Sequence, residues 1–214
     1  MRSKFDQELE ILNKELVKMG ALCETAIAMA TKAIEANEKS FMDDIYAIST
    51  QIEQKEREIE SLCMKLILRQ QPVAKDLRTI SSALKMITDM QRIGHQSADI
   101  VEIIIKGDIH SSNDTLHIKD MAIATIKMVT ESIDAFVNKD IETAKKVMAY
   151  DDVVDEYFSK IRKDLAEKFS EPNTDVEYAL NVLLIAKYFE RIGDHAVNIS
   201  DWVVFSITGQ REGE

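Results

Sequence analysis

The chain has 214 residues, 45% of them hydrophobic, with 38 acidic against 27 basic side chains and a formal charge of −11. That charge excludes non-specific nucleic-acid binding, which needs clustered Lys and Arg to displace counterions. The length suits one large domain or two small ones, and with 6 Gly and 2 Pro there is little turn material, so few, long helices follow.

No stretch approaches the roughly 18 uninterrupted apolar residues of a membrane span. The charged start Met-Arg-Ser-Lys-Phe-Asp-Gln-Glu is unlike a signal peptide. Cys23 and Cys63 each fall inside a helical pattern and read as small buried thiols of a reducing cytosol.

Six helices can be read in chain order from apolar spacing. In the first, Phe5, Leu9, Leu12, Leu16 and Met19 lead into Ala26, Ala30 and Ala33, with an end near Asn37. The second runs from Phe41 to Arg69 on Ile45, Ile48, Ile52, Ile59, Leu62 and Leu66. Pro72 opens the third, whose stripe is Val73, Leu77, Ile80, Leu84, Ile87, Gly94, Ala98, Val101 and Ile105. Gly107 reads as its left-handed stop. After a polar loop from Asp108 to Asp114, the fourth carries Leu116, Ile123, Ile126, Ile133 and Val137. Asn138-Lys139-Asp140 makes a tight turn, and the fifth continues to Phe169 on Val147, Val154, Phe158, Ile161 and Leu165. Pro172 marks the last break. The sixth carries Val176, Ala179, Leu183, Ala186, Gly193 and Val197 and ends near Thr208-Gly209.

No segment alternates as a strand does. The expectation is an all-α fold of two tandem antiparallel three-helix bundles, residues 1–107 and 108–214, because short loops fold neighbouring helices back on each other. An internal repeat supports it: Gln91-Arg92-Ile93-Gly94-His95 returns 99 residues later as Glu190-Arg191-Ile192-Gly193-Asp194. Helices this long need tertiary packing, so the halves also pack together, either as one six-helix body or as two loosely joined units.

The informative positions are acids that interrupt the stripes. Asp151 and Asp155 sit one turn apart on the fifth helix, and Glu190 and Asp194 one turn apart on the sixth. If those faces meet, four carboxylates cluster. Like charges and burial then raise their pKa values, and the compensation is protonation, pairing with Lys187 or Arg191, or a bound cation. An all-oxygen set suits a hard divalent or trivalent ion, Mg, Ca, Mn or Fe; Zn also takes carboxylates. Gly193, between the two acids, lets a neighbour approach closely. In the first half, Ser49 and Glu53 correspond to Asp151 and Asp155, Gln91 to Glu190 and His95 to Asp194, so most of the acids are gone. Glu53, Glu56, Gln91 and His95 form a degraded second candidate site.

Other chemistries lack their residues. There is no Glu-x-x-His pair on facing helices, Gly-rich phosphate loop, His-Glu-x-x-His or Ser-His-Asp constellation. His195 points away from Glu190. His110 and His117 read as solvated, and Trp202 with Phe205 as closing the end of the core. Two alternatives remain: a metalloenzyme working at the four carboxylates, and a metal-free structural bundle.

The stretch from Arg69 to Arg78 (RQQPVAKDLR) resembles the RQP…DLR segment of the PhoU family of phosphate-transport regulators. Gln91 to His95 and Glu190 to Asp194 resemble that family's ERIGD segments, and Asp151 to Asp155 its D..(I/V)D pattern. The resemblance runs from Phe5 to Gln210. It implies two three-helix bundles, and metal clusters on Glu/Asp-x-x-x-Asp pairs, here Asp151, Asp155, Glu190 and Asp194. It also implies a regulatory role without enzymatic activity. The protein would be a cytoplasmic adaptor, homodimeric and peripheral to the membrane. It would contact the ATPase subunit of a high-affinity phosphate ABC transporter and a phosphate-sensing histidine kinase, and restrain uptake and the starvation response. The sequence departs from the family pattern at Gln91, His95 and Ser49.

Overall fold

The computed structural model describes residues 2–36, 38–70, 72–109, 116–169, 171–172 and 174–211. The expected helix ends at Asn37 and the loop histidine His110 lie outside them.

Six helices account for the described architecture: α1 Arg2–Ala36, α2 Ser40–Gln70, α3 Ala74–Lys106, α4 Leu116–Asn138, α5 Ile141–Lys168 and α6 Val176–Thr208. Each matches an expected segment to within a few residues. The outer helices show the simplest logic. On α2, Ile45, Ile52, Ile59 and Leu66 recur every seven residues and are fully buried. On α5, Val147, Val154 and Ile161 do the same. A heptad stripe is narrow, so each of these helices covers one side of its bundle. Helices α3 and α6 bury wider arcs because each is covered on several sides: α3 packs on α1, α2 and α6, and α6 on α3, α4 and α5.

The bundles join through two antiparallel pairs. Along α1 and α4, Gly20 lies against Ile133, the Thr130 hydroxyl donates to Glu24 at 2.8 Å, and Lys119 pairs with Glu35 at 2.7 Å. Along α3 and α6, Arg78 lies beside Gly209 at one end and Asn181 beside Gly107 at the other. The result is one continuous apolar core shared by all six helices, rather than two loosely joined units. At its middle, His195 Nδ1 meets Asp89 Oδ1 at 2.9 Å, and Gln96 Nε2 lies 3.2 Å from His195 Nε2. Nδ1–H therefore donates to Asp89, and Nε2 accepts from the amide. Gln96 and His195 are 99 residues apart, so equivalent positions of the repeat touch. Such a contact places a near two-fold axis between the halves.

The helix ends show one departure from expectation. Gly107 is not left-handed, with φ −87°; the left-handed residue is Asp108, φ 51°. The Ile109 N–H then reaches back to Ile104 C=O at 2.9 Å, closing a Schellman turn. Gly107 answers a different need: a Cβ there would stand 2.6 Å from Asn181 Nδ2, so the glycine admits α6. The turn at Asn138-Lys139-Asp140 closes the same way, with Lys139 at φ 55° and Asp140 N–H on Ala135 C=O at 2.9 Å. Asp140 then caps α5 by accepting from the N–H groups of Glu142 and Thr143.

Cys23 and Cys63 are both free and buried, as expected. Burial pushes the Cys63 thiol up to about 12. His117 is only half-exposed. It packs near Tyr157, with ring centroids 6.3 Å apart, and its Nδ1 is buried without a hydrogen-bond partner among the described residues. Trp202 and Phe205 meet edge to face at 5.6 Å, and Arg211 covers the Trp202 ring at 4.6 Å.

Candidate functional site

Helices α5 and α6 run antiparallel, and Gly193 sits where they approach. A Cβ at Gly193 would stand 3.1 Å from Asp151 Oδ1 and 3.4 Å from Val154 Cγ1. The missing side chain therefore makes room for a carboxylate. Asp151 and Glu190 are half-buried, whereas Asp155 and Asp194 lie at the exposed edge of the same face.

Two of the four acids respond to the others. Asp151 is pushed up to about 6, first by burial and then by Asp155, Asp194, Glu190 and Asp152. Asp194 is also raised, by burial first and then by Glu190, with Lys187 acting in the opposite direction. Asp152 is a fifth contributor that helical spacing did not single out, because it belongs to a neighbouring face. Glu190 Oε2 is buried. It pairs with the Lys187 ammonium but makes no hydrogen bond of ordinary geometry. Arg191 is exposed on another face.

The donor chemistry fits a hard cation: an all-oxygen set, two members raised first by burial and then by neighbouring carboxylates, and one buried oxygen whose charge is met by the Lys187 ammonium. The side chains do not converge as they stand. Among the described residues no three His, Cys, Asp or Glu groups are close enough together to hold an ion.

The first half shares the backbone and differs in chemistry. A Cβ at Gly94 would run into Ile52, whose Cδ1 lies 2.7 Å away. The heptads align Ile52 with Val154 and Ser49 with Asp151. Ser49 is buried at 7% exposure. The extra methyl of isoleucine thus sits where the second half admits a carboxylate. At the position of Asp194, His95 Nε2 pairs with Glu53 Oε1 at 2.8 Å, and Arg57 stands 3.8 Å from the same carboxylate. Glu56 is raised, by burial first and then by Glu60. Gln91 is half-buried beside this face.

The Asp89–His195–Gln96 seam was missed from sequence, although Asp89 and Gln96 stand one heptad apart on α3. A polar pair at that spacing inside a buried stripe is the signal that finds it.

The PhoU domain family model matches this chain twice, over residues 16–104 and 118–203. The chain belongs to the PhoU family. It is 32% identical to the phosphate-specific transport system accessory protein PhoU homolog of Clostridium acetobutylicum, over 98% of this chain and 97% of that protein. The crystal structure of PhoU from Pseudomonas aeruginosa superposes with a TM-score of 0.89 at 31% identity, covering 96% of this chain and 100% of that one. The Streptococcus pneumoniae phosphate transport system regulatory protein PhoU shares the fold, with a TM-score of 0.87 at 22% identity, covering 98% and 100% of the two chains. The second Arg-Ile-Gly segment carries acids at Glu190 and Asp194, where the first carries Gln91 and His95. No described helix is long and apolar enough to cross a membrane.

Proposed function

We propose that this PhoU-family chain is a regulatory accessory protein of a high-affinity phosphate ABC transporter. It works by contact and not as an enzyme. It binds the transporter's ATPase subunit and a phosphate-sensing histidine kinase from the cytoplasmic side, as a homodimer, and restrains uptake and the starvation response. The observation that carries this reading is the full-length likeness to proteins named as accessories of phosphate-specific transport. Long helices with exposed aliphatic rows support a contact role. On α6, Val176, Leu180 and Leu184 recur every four residues and are about half exposed.

The same reading includes a cation site on Asp151, Asp155, Glu190 and Asp194. A bound divalent or trivalent ion would neutralise these carboxylates. The chain's own residues supply the rest: Gly193 clears space for Asp151, and burial of Asp151 and Glu190 strengthens their attraction for positive charge. In the first half, the His95–Glu53 pair and the methyl of Ile52 take the corresponding places.

Deletion of the gene in its host is expected to derepress phosphate-starvation genes at high phosphate. Unchanged expression would overturn the regulatory reading. Replacing Leu180 and Leu184 together by Glu is expected to give the same derepression while the protein stays folded. For the cation site, protein purified without chelators is expected to lose its metal when Asp151→Ala and Glu190→Ala are combined; unchanged metal content would remove these residues as ligands.

A further inference from the structure

Among the described residues, Lys187 reaches the carboxylate cluster through Glu190, and its geometry gives it a role beyond solubility. It lies one turn before Glu190 and pairs with Glu190 Oε2. Its ammonium also stands 5.3 Å from the Phe158 ring on α5, so the side chain leans from α6 across to the helix that carries Asp151 and Asp155. Phe158 continues the face of those two acids, since positions 151, 155 and 158 are spaced four and three apart. Glu190 Oε2 has no hydrogen bond of ordinary geometry, so the ammonium is what offsets its burial. The Lys187 side chain is 48% exposed, so it can swing into water without unpacking the core. The repeat supplies a contrast. The equivalent first-half position, 99 residues earlier, is Thr88, and there His95 and Arg57 stand beside the acids instead.

We propose that Lys187 is a built-in counter-cation of the second-half carboxylates, and that any external cation binds there in competition with it. The proposal rests on the cation site argued above. In metal-free protein the ammonium partly neutralises Glu190 and Asp194. A metal ion entering the same acids meets a like charge and gains full affinity only as Lys187 leaves Glu190. Lys187 thus sets a threshold, so that weakly bound ions fail to displace it.

The test compares full-length wild type with Lys187→Gln and Lys187→Arg, using Mn²⁺ as the probe after chelator treatment. Two readouts are taken at pH 7.5: the melting temperature without metal, and the Mn²⁺ affinity by calorimetry. Lys187→Gln is expected to melt lower than wild type without metal and to bind Mn²⁺ about 3- to 10-fold more tightly, the size of one partly screened charge. Lys187→Arg is expected to stay near wild type in both. If Lys187→Gln melts like wild type without metal, or binds Mn²⁺ no more tightly while Asp151→Ala with Glu190→Ala abolishes binding, the cation site stands and the competing role of Lys187 falls. If neither wild type nor Lys187→Gln binds Mn²⁺, the site and the proposal fall together.

Discussion

The two Arg-Ile-Gly crossings use one backbone arrangement for opposite purposes. Around Gly94, Ile52 fills the gap left by the glycine, and Ser49, at the position of Asp151, is buried. Around Gly193, a shorter Val154 leaves space and the carboxylate of Asp151 enters. One methyl and one carboxyl group therefore separate a sealed crossing from a charged one. The glycine is needed in both halves, for a hydrophobic contact in one and a polar contact in the other. A duplicated fold can keep its packing while the chemistry of one copy changes, provided the exchanges come in compensating pairs.

The sharpest way to break this comparison is to move the acid alone. Ser49→Asp places a carboxylate against Ile52 with no room and no partner. It is expected to cost about 3 kcal/mol, in the range of burying an unpaired charge. Ile52→Val alone is expected to cost about 1 kcal/mol. The double variant is expected to lose less than the sum of the two, because the shorter side chain opens the space that Asp151 occupies in the second half. Denaturant unfolding of the four proteins checks this; strict additivity would show that the Ile52 methyl does not close the crossing.

A smaller effect is expected from Asp151→Asn, and it carries a sign in pH. The Asp151 carboxyl titrates near 6 when folded, above its unfolded value of 3.8, so the folded state holds more protons between those values. Stability contributed by this group is present at low pH and declines as pH rises toward about 6. In chelator-treated protein, Asp151→Asn is therefore expected to stabilise by about 1 kcal/mol above pH 7, after allowance for solvent screening, and to be neutral near pH 4. Melting curves across that range test it; a benefit that is the same at both ends would mean that neither burial nor the neighbouring acids disfavour the Asp151 carboxylate.

The smallest expected change is in the first half. His95 and Glu53 are both well exposed, so His95→Ala is expected to cost less than about 0.5 kcal/mol. A loss above 2 kcal/mol would assign that pair a structural role.

The sequence by itself determined the six helices, their breaks and the repeat that makes the two halves equivalent. Heptad stripes on α2 and α5 are local properties of helical geometry, and aligning them matched Ser49 with Asp151 and Glu53 with Asp155 without any coordinates. The acid spacing on α5 and α6 was legible for the same reason. Only the tertiary structure decided which neighbour takes the space above each glycine, since that depends on contacts between helices far apart in sequence. It also decided that Gly107 serves close packing against Asn181 while Asp108 makes the left-handed turn. The buried Asp89–His195–Gln96 seam exists because a two-fold relation brings equivalent positions together, and helical periodicity within one half carries no information about that axis.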